Sequence, residues 1–210
     1  MSIRDSVYTR PDGSTLPYPL VNPSYFGNTL VLRVVSGEEG DEWIQVQAPV
    51  RPADTWVWVQ GSDFDWVDGD ERIEVDMSDS TMRVYRGDER LLSSRVATGA
   101  VDTPTPLGVS YVSEIIGARS PILNLALFAN TNSAAGQPLP AITLVGTADS
   151  SELGERITRG TLRAPNDTLA TLADEVSPGA LVIIFDSSDD ATDRDAIVAR
   201  DVIPAATTAP

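Results

Sequence analysis

Residues 158–163, Thr-Arg-Gly-Thr-Leu-Arg, bring two hydroxyls and two guanidinium groups together in one short segment. A guanidinium can hold a carboxylate through two parallel hydrogen bonds, and a hydroxyl can act as a nucleophile when a strong base accepts its proton. Thr161 lacks the N-terminal amine that threonine nucleophiles use. Two interpretations stay open for Arg159 and Arg163: binding of a carboxylate ligand, or ion pairing with acidic residues of the chain itself.

The chain of 210 residues contains no cysteine and no histidine. Disulfides, thiol catalysis, Ser-His or Cys-His dyads and histidine-ligated metals are therefore excluded. Proton transfer near pH 7 would require a carboxyl group with a strongly shifted pKa, because no other side chain here titrates in that range. We predict no bound metal and no cofactor.

Acidic residues number 31 and basic residues 15, which gives a formal net charge of −16. Such a field repels phosphate, so nucleic acids and anionic membrane surfaces are excluded as partners. No apolar run approaches the length of a membrane helix, and the first residues show no secretion signal.

The elements around the 158–163 segment are predominantly β. Short apolar or alternating runs separated by turn residues predict strands at 72–77, 82–86, 91–97, 109–116, 141–145 and 180–185. Residues 117–140 show little periodicity and are expected to form a long loop. A helix is predicted to begin at Asn166 as its N-cap, because apolar residues then recur at helical spacing until Ser177-Pro178-Gly179.

Residues 1–70 predict a smaller β unit. Strands are expected at 30–35, 43–47 and 56–59, and alternation in the second of these places Ile44 and Val46 on one face. The short spacing of strands and turns is typical of a small β-barrel. From residue 186 onward the acidic and then Ala/Thr/Pro-rich composition predicts a mobile tail.

Several segments, in this order, resemble the L,D-transpeptidase catalytic domain (YkuD-type) of bacterial cell-wall enzymes. The matching pieces are the opening hairpin 73–85, Ala97-Thr98-Gly99, Thr103-Pro104-Thr105-Pro106-Leu107-Gly108, Gly146, Gly154, the 158–163 segment, Asn166-Asp167 and Gly179. Residues 22–66 resemble an SH3-like module that precedes this domain in some members. The resemblance implies a mostly β protein: an L,D-transpeptidase-type β-sandwich with one main helix, preceded by a small SH3-like β-barrel.

The chemistry that the resemblance implies is acyl transfer between peptidoglycan stem peptides. A cysteine attacks a stem-peptide carbonyl, a histidine accepts the thiol proton, and backbone N–H groups of the loop stabilise the oxyanion. In this chain Thr161 stands at the cysteine position and Val145 at the histidine position, so both catalytic groups are missing. Thr158, Arg159, Gly160, Arg163 and Gly146 match the rest of the motif and are the candidate binding residues.

The resulting prediction is a chain of three parts: an SH3-like module at 1–68, an L,D-transpeptidase-like domain at 69–186 and a tail at 187–210. Its expected function is that of an inactive family member, a pseudoenzyme that binds stem peptide or a cell-wall protein. Two alternatives stay open: an active transpeptidase with unorthodox residues, and a structural or regulatory domain without peptidoglycan recognition. The resemblance also implies an extracytoplasmic location.

Overall fold

The computed structural model describes residues 3–5, 20–50, 55–117, 120–128 and 141–202. The N-terminal part contains five short strands: β1 (Ile3–Asp5), β2 (Leu20–Asn22), β3 (Arg33–Ser36), β4 (Trp43–Gln47) and β5 (Trp56–Gln60). Strands β1 and β2 pair with each other, and β3–β4–β5 form an antiparallel sheet. Ile44 and Val46 share one buried face of β4, as their alternation predicts. The SH3-like barrel assigned to this region stays a prediction.

The remainder of the described chain forms ten strands and two helices. They are β6 (Glu71–Asp76), β7 (Thr81–Arg86), β8 (Glu89–Arg95), β9 (Thr98–Gly99), β10 (Gly108–Ile116), β11 (Ile122–Phe128), β12 (Ala141–Thr147), β13 (Arg156–Thr158), β14 (Leu162–Pro165), α1 (Asn166–Glu175), β15 (Leu181–Phe185) and α2 (Arg194–Val202). The prediction of a mostly β protein with one main helix is confirmed.

Eight of these strands form one sheet in the order β14-β12-β11-β10-β15-β6-β7-β8. The sheet curls until its two edge strands, β14 and β8, come into contact. Ala97, just beyond β8, closes the seam because its N–H and carbonyl exchange hydrogen bonds of 2.9 and 3.0 Å with Arg163. The two halves of the curled sheet face each other across a shared apolar core, and this arrangement gives the fold its sandwich character.

Alternation along the strands decides which residues reach this core. Ile142, Leu144 and Leu162 point inward and are almost fully buried, together with Leu169 and Leu172 of α1. The residues between them, on β12 and just before β14, point to the outer face, because successive strand side chains alternate. The outer face of the β12–β14 pair is therefore where the candidate functional residues lie.

Two predictions about connecting segments are wrong. Residues 122–128, expected within a long loop, form β11, in which Leu123 and Leu125 are buried and Asn124 lies between them. The mobile tail expected from residue 187 is wrong for the segment up to residue 202. This segment ends in α2, whose Ile197 is buried against Val109, Ile183 and Phe185 on the other face of the sheet.

The carboxylate of Asp76, at the end of β6, holds the segment that leads to α2. It accepts hydrogen bonds from the hydroxyls of Ser187 at 2.7 Å and Ser78 at 2.8 Å, and from both backbone N–H groups. Burial alone would raise the pKa of Asp76, but these four donors outweigh it and lower the pKa below the ordinary 3.8. The ionised form therefore stabilises the fold.

Replacing Asp76 with Asn is expected to cost about 1–2 kcal/mol of unfolding free energy at pH 7, because the acceptor loses its charge and the Ser187 hydroxyl loses the oxygen to which it donates. The lowered pKa sets the sign of the pH dependence. The stabilisation that ionised Asp76 provides is complete above its ordinary pKa of 3.8, and it is lost as the pH falls through the lower pKa of the folded state. Urea unfolding of the wild-type chain and the Asp76→Asn variant at pH 7 and pH 3 measures the difference in unfolding free energy. Asp88→Asn, a substitution at an exposed position, is the control. A difference in unfolding free energy that does not decrease at pH 3 contradicts this role of Asp76.

Candidate functional site

The 158–161 loop is held from below by three threonine hydroxyls. Thr103 Oγ1 donates to the carbonyl of Thr158 at 3.1 Å, and Thr105 Oγ1 donates to the carbonyl of Gly160 at 3.0 Å. Thr158 Oγ1 donates to the carbonyl of Thr161. The Thr103–Pro106 segment is thus a rigid support for the loop, since each proline also restrains its neighbour.

The carbonyls of Thr158, Gly160 and Thr161 all accept hydrogen bonds, which leaves the amides of the loop to be considered. Gly160 has a φ of +91°, a conformation that glycine adopts without strain. Within the described part of the chain, the N–H groups of Gly160 and Thr161 have no hydrogen-bond partner. Successive free N–H groups around a left-handed residue form a concave site for an anion or a carbonyl oxygen. The loop therefore keeps a backbone arrangement that can bind an oxyanion or carboxylate.

Thr161 and Val145 lie on the same outer face of the β12–β14 pair. The parallel register sets Leu144 beside Leu162 and Val145 beside Arg163. When this register is extended by one residue towards the N-terminus, it places Thr161 beside Thr143. Thr161 and Val145 are therefore diagonal neighbours, with Cα atoms about 8 Å apart from strand geometry. Both side chains are half-buried. A nucleophile and a base at these two positions could meet, but a hydroxyl and an isopropyl group stand there.

The acidic side chain of Glu152 ties down Arg163 beside Val145. Arg163 Nη1 donates to Glu152 at 2.7 Å, and Thr147 Oγ1 donates to the second carboxylate oxygen at 2.8 Å. The Thr147 hydroxyl and the Arg163 guanidinium hold the pKa of Glu152 below its ordinary value. This is the ion-pair interpretation of Arg163, and the sequence offered no periodic signal for Glu152, which lies in a short 3-10 turn.

Arg159 differs from Arg163 in its surroundings. Its side chain is exposed at the tip of the loop, and among the described residues it has no ion-pair partner. Arg159 directly precedes Gly160 and Thr161, whose N–H groups have no partner among the described residues. A ligand carboxylate bound at the loop could therefore also reach this guanidinium.

Gly146 is needed because another residue occupies the space above it. A Cβ at this position would lie 2.1 Å from Asn166 Oδ1. The expectation that Asn166 caps α1 is wrong: Pro165 is the N-cap residue and no side chain caps this end. The side chain of Asn166 instead covers Gly146 and fixes the start of α1 against β12.

Gly154 has a similar role at the other end of the loop. Its φ is +92°, and a Cβ there would lie 2.0 Å from a guanidinium nitrogen of Arg95. The Arg95 side chain therefore lies directly on the backbone of Gly154, whose N–H donates to the carbonyl of Val96 at 3.1 Å. The loop is anchored to the strand that closes the sheet.

In the described ranges, no three acidic side chains converge in a way that could hold a metal ion. None of the helices that the structure describes has the length and apolar character needed to cross a membrane.

Together, the curled sheet, the parallel edge pair and the hydroxyl-supported loop define a β-sandwich domain with a polar loop at the edge of its sheet. A family model for the L,D-transpeptidase catalytic domain, YkuD, matches residues 70–184. The chain belongs to this family, whose members act on peptidoglycan.

Solved structures of the family are similar at low identity. The catalytic domain of the Enterococcus faecium L,D-transpeptidase is 22% identical over 57% of this chain and 100% of that one, with a TM-score of 0.43. A mutant of the Enterococcus faecium enzyme is 14% identical over 86% and 74% of the two chains, with a TM-score of 0.48. The Mycobacterium smegmatis L,D-transpeptidase is 14% identical over 73% and 99%, with a TM-score of 0.45. No curated protein matches the chain.

Proposed function

We propose that this chain is a catalytically inactive member of the L,D-transpeptidase family that binds peptidoglycan stem peptides outside the cytoplasmic membrane. The proposal rests on Thr161 and Val145, which stand at the two positions where the family resemblance places the catalytic cysteine and histidine, beside a loop whose carbonyls are held by threonine hydroxyls. A member of the family without a nucleophile and base retains binding and oxyanion interactions alone.

An active enzyme with unorthodox residues would need a base for the Thr161 hydroxyl. Glu152 is one candidate base, since it pairs with Arg163, the residue beside Val145. Its lowered pKa makes it a weak proton acceptor, and both of its oxygens already accept hydrogen bonds. An unactivated threonine hydroxyl is a poor nucleophile at neutral pH. The geometry therefore favours binding over catalysis.

The free amides of Gly160 and Thr161 and the guanidinium of Arg159 support peptide binding. A stem peptide offers carbonyl oxygens and a terminal carboxylate, and backbone N–H groups with an arginine recognise both. The second candidate, a structural domain without ligand, predicts no saturable binding at this loop.

The division into a module at 1–68 and a domain at 69–186 is part of the proposal.

Titration calorimetry with a disaccharide tetrapeptide tests the proposal. Binding is expected, and Arg159→Ala should weaken it by about tenfold, the effect of one charge-assisted hydrogen bond. Arg90→Ala changes an exposed arginine at the start of β8, where it is paired with Tyr85 of β7, and this matched control should leave binding unchanged.

Mass spectrometry of the same incubated mixture checks the inactive state. The tetrapeptide should keep its terminal D-Ala. Loss of D-Ala that Thr161→Ala abolishes would establish an active enzyme. Absence of binding to the wild-type chain would favour the structural domain.

A further inference from the structure

Two adjacent aromatic rings stand exposed on the N-terminal part of the molecule. Tyr25 is 95% exposed and Phe26 is 57% exposed. Their ring centroids lie 5.3 Å apart and the ring planes meet at 88°, so the edge of one ring faces the other. Aromatic side chains that are grouped at the surface in this way are typical of binding sites.

The backbone of the 24–28 turn, which carries the two rings, is fixed by its own hydrogen bonds. The Ser24 N–H donates to the carbonyl of Asn28 at 2.8 Å, and the Gly27 N–H donates to the carbonyl of Ser24 at 3.0 Å. Ser24 Oγ accepts from the N–H groups of Phe26 at 3.2 Å and Asn28 at 3.3 Å. Gly27 has a φ of +84°, which glycine adopts without strain. The rings are therefore presented on a preorganised backbone, and a ligand has little chain left to order.

Glu114 anchors this turn to the large sheet. Its carboxylate accepts hydrogen bonds from the hydroxyl of Ser24 and from Asn28 Nδ2, the latter at 2.9 Å. Asn28 Nδ2 also donates to the carbonyl of Ile115 at 3.3 Å. Glu114 and Ile115 belong to β10, an interior strand of the sheet, so the turn keeps a defined position on the domain.

The turn is separate from the 158–161 loop. The registers set Glu114 beside Asn124, and Asn124 beside Thr143. Extended by one residue, the β12–β14 register sets Thr143 beside Thr161. Three strand spacings, about 14–15 Å, therefore lie between the anchor of the turn and the loop. A substitution of an exposed ring in the turn is not expected to alter the loop.

The charge pattern of this segment favours an uncharged ligand. Residues 13–32 contain no Asp, Glu, Lys or Arg, although charged residues make up 22% of the chain. A charged ligand would find no opposite charge on this segment. The net charge of −16 also repels anionic surfaces, so an anionic membrane does not fit the two rings.

The area of the two rings limits the size of the occupant. A Tyr or Phe side chain buries about 150–250 Å², so the pair offers less than the roughly 800 Å² per partner of a standard protein interface. A pyranose ring is close in size to a phenyl ring. The weakly positive C–H groups on one face of the sugar complement the negative face of an aromatic ring. The size and charge of the site therefore fit a saccharide better than a protein.

We propose that Tyr25 and Phe26 form a stacking site for an uncharged saccharide, and that its occupant is the glycan strand of peptidoglycan. A pyranose face stacks on the exposed Tyr25 ring, and Phe26 borders it at a right angle. This inference deepens the proposed function and rests on it for the identity of the saccharide. The stacking site itself depends on the two rings and on the turn that holds them.

An NMR titration of the ¹⁵N-labelled full chain tests the site. The probe is the β-1,4-linked tetramer of N-acetylglucosamine, which has the backbone of the glycan and carries no peptide. Saturable chemical-shift changes at residues 21–28 are expected. Maltotetraose, an uncharged tetramer that is α-linked and has no acetamido groups, is expected to bind more weakly. Equal affinity for the two tetramers overturns the assignment to peptidoglycan, and no saturable change with either overturns the site.

Variants at the first ring separate stacking from simple apolar contact. Tyr25→Leu should weaken binding of the N-acetylglucosamine tetramer by about fivefold or more, because leucine keeps apolar area but has no aromatic face. Tyr25→Phe keeps the ring and should bind within about twofold of the wild-type chain. Val67→Ala changes another exposed apolar side chain, which precedes β6, and should leave binding unchanged. Wild-type affinity of Tyr25→Leu overturns the proposal.

Sedimentation velocity examines the other occupant that the rings could have, a second copy of this chain. The wild-type chain is expected to stay monomeric at the concentrations of the titration. A dimer that Tyr25→Leu dissolves would overturn the saccharide assignment, because a second copy would then cover the rings.

The outcome is separable from that of the proposed function, which concerns the 158–161 loop. The comparison uses the stem tetrapeptide without its disaccharide. Binding of the tetramer without binding of this tetrapeptide would keep the stacking site and overturn the proposed binding of stem peptides. Binding of the tetrapeptide without binding of the tetramer would overturn the stacking site alone.

Discussion

The double variant Val145→His/Thr161→Cys is expected to react with iodoacetamide at least about tenfold faster than Thr161→Cys alone at pH 7. A free cysteine with a pKa of about 8.5 is only a few per cent thiolate at this pH. A histidine on the same outer face, about 8 Å away between Cα atoms, brings an imidazolium within reach of the sulfur and stabilises the thiolate. The gain in thiolate exceeds the accompanying loss of intrinsic nucleophilicity.

Controls for this variant concern folding and the site itself. A histidine at the half-buried Val145 position is expected to cost about 1–2 kcal/mol, so both variants must show cooperative thermal unfolding. A carbapenem should leave a covalent adduct on the double variant and none on the wild-type chain, visible in the intact mass. Equal alkylation rates for the two folded variants would mean that the loop no longer holds the two positions in the family's geometry.

Gly99→Ala is expected to destabilise the fold by about 3 kcal/mol, which lowers the melting temperature by about 6–12 °C. A Cβ at this position would lie 2.4 Å from the carbonyl oxygen of Thr103 and 2.4 Å from the amide nitrogen of Thr105. Both are backbone atoms, so the Thr103–Pro106 segment must move. Its displacement breaks the 2.9 Å bond from the Gly99 N–H to Thr105 Oγ1 and the bond from that hydroxyl to the 158–161 loop.

The matched control for this substitution is Gly69→Ala. A Cβ at Gly69 meets only the flexible carboxylate end of Glu71, at 3.3 Å, and the expected change in unfolding free energy is below about 0.5 kcal/mol. Differential scanning calorimetry of the three proteins gives the comparison. Equal melting temperatures for Gly99→Ala and the wild-type chain would show that the Thr103–Pro106 segment can move without a loss of stability.

Sequence patterns predicted most of the fold because strand alternation and turn residues are local signals. The hairpins of β6–β8 and the buried strand β15 follow from such signals. The sequence did not predict β11 for a physical reason. Its polar residue, Asn124, interrupts an otherwise apolar run. Helix α2 was missed because its apolar residues Ile197 and Val198, which pack against the sheet, stand in an otherwise acidic and polar segment.

The candidate site was predictable at the positions where the backbone geometry itself requires a particular residue type. Gly146, Gly154 and Gly160 stand where a side chain would collide or where φ is positive, so their types follow from geometry. The partners that define the electrostatics were not predictable. Glu152 contacts Thr147 and Arg163 from a short 3-10 turn, and no periodic pattern of the sequence encodes such contacts.

The position of β15 has a consequence for the order in which the molecule can assemble. Residues 181–185 lie between β10 and β6 and supply the pairing that joins the two halves of the sheet. A chain emerging from the ribosome can form the β6–β8 meander and the β10–β11 hairpin early, but one edge of β10 and one edge of β6 stay unpaired until β15 arrives. Pairings between distant segments also make closure slow. The nascent chain therefore exposes unpaired strand edges for most of its synthesis, and such edges favour binding by chaperones.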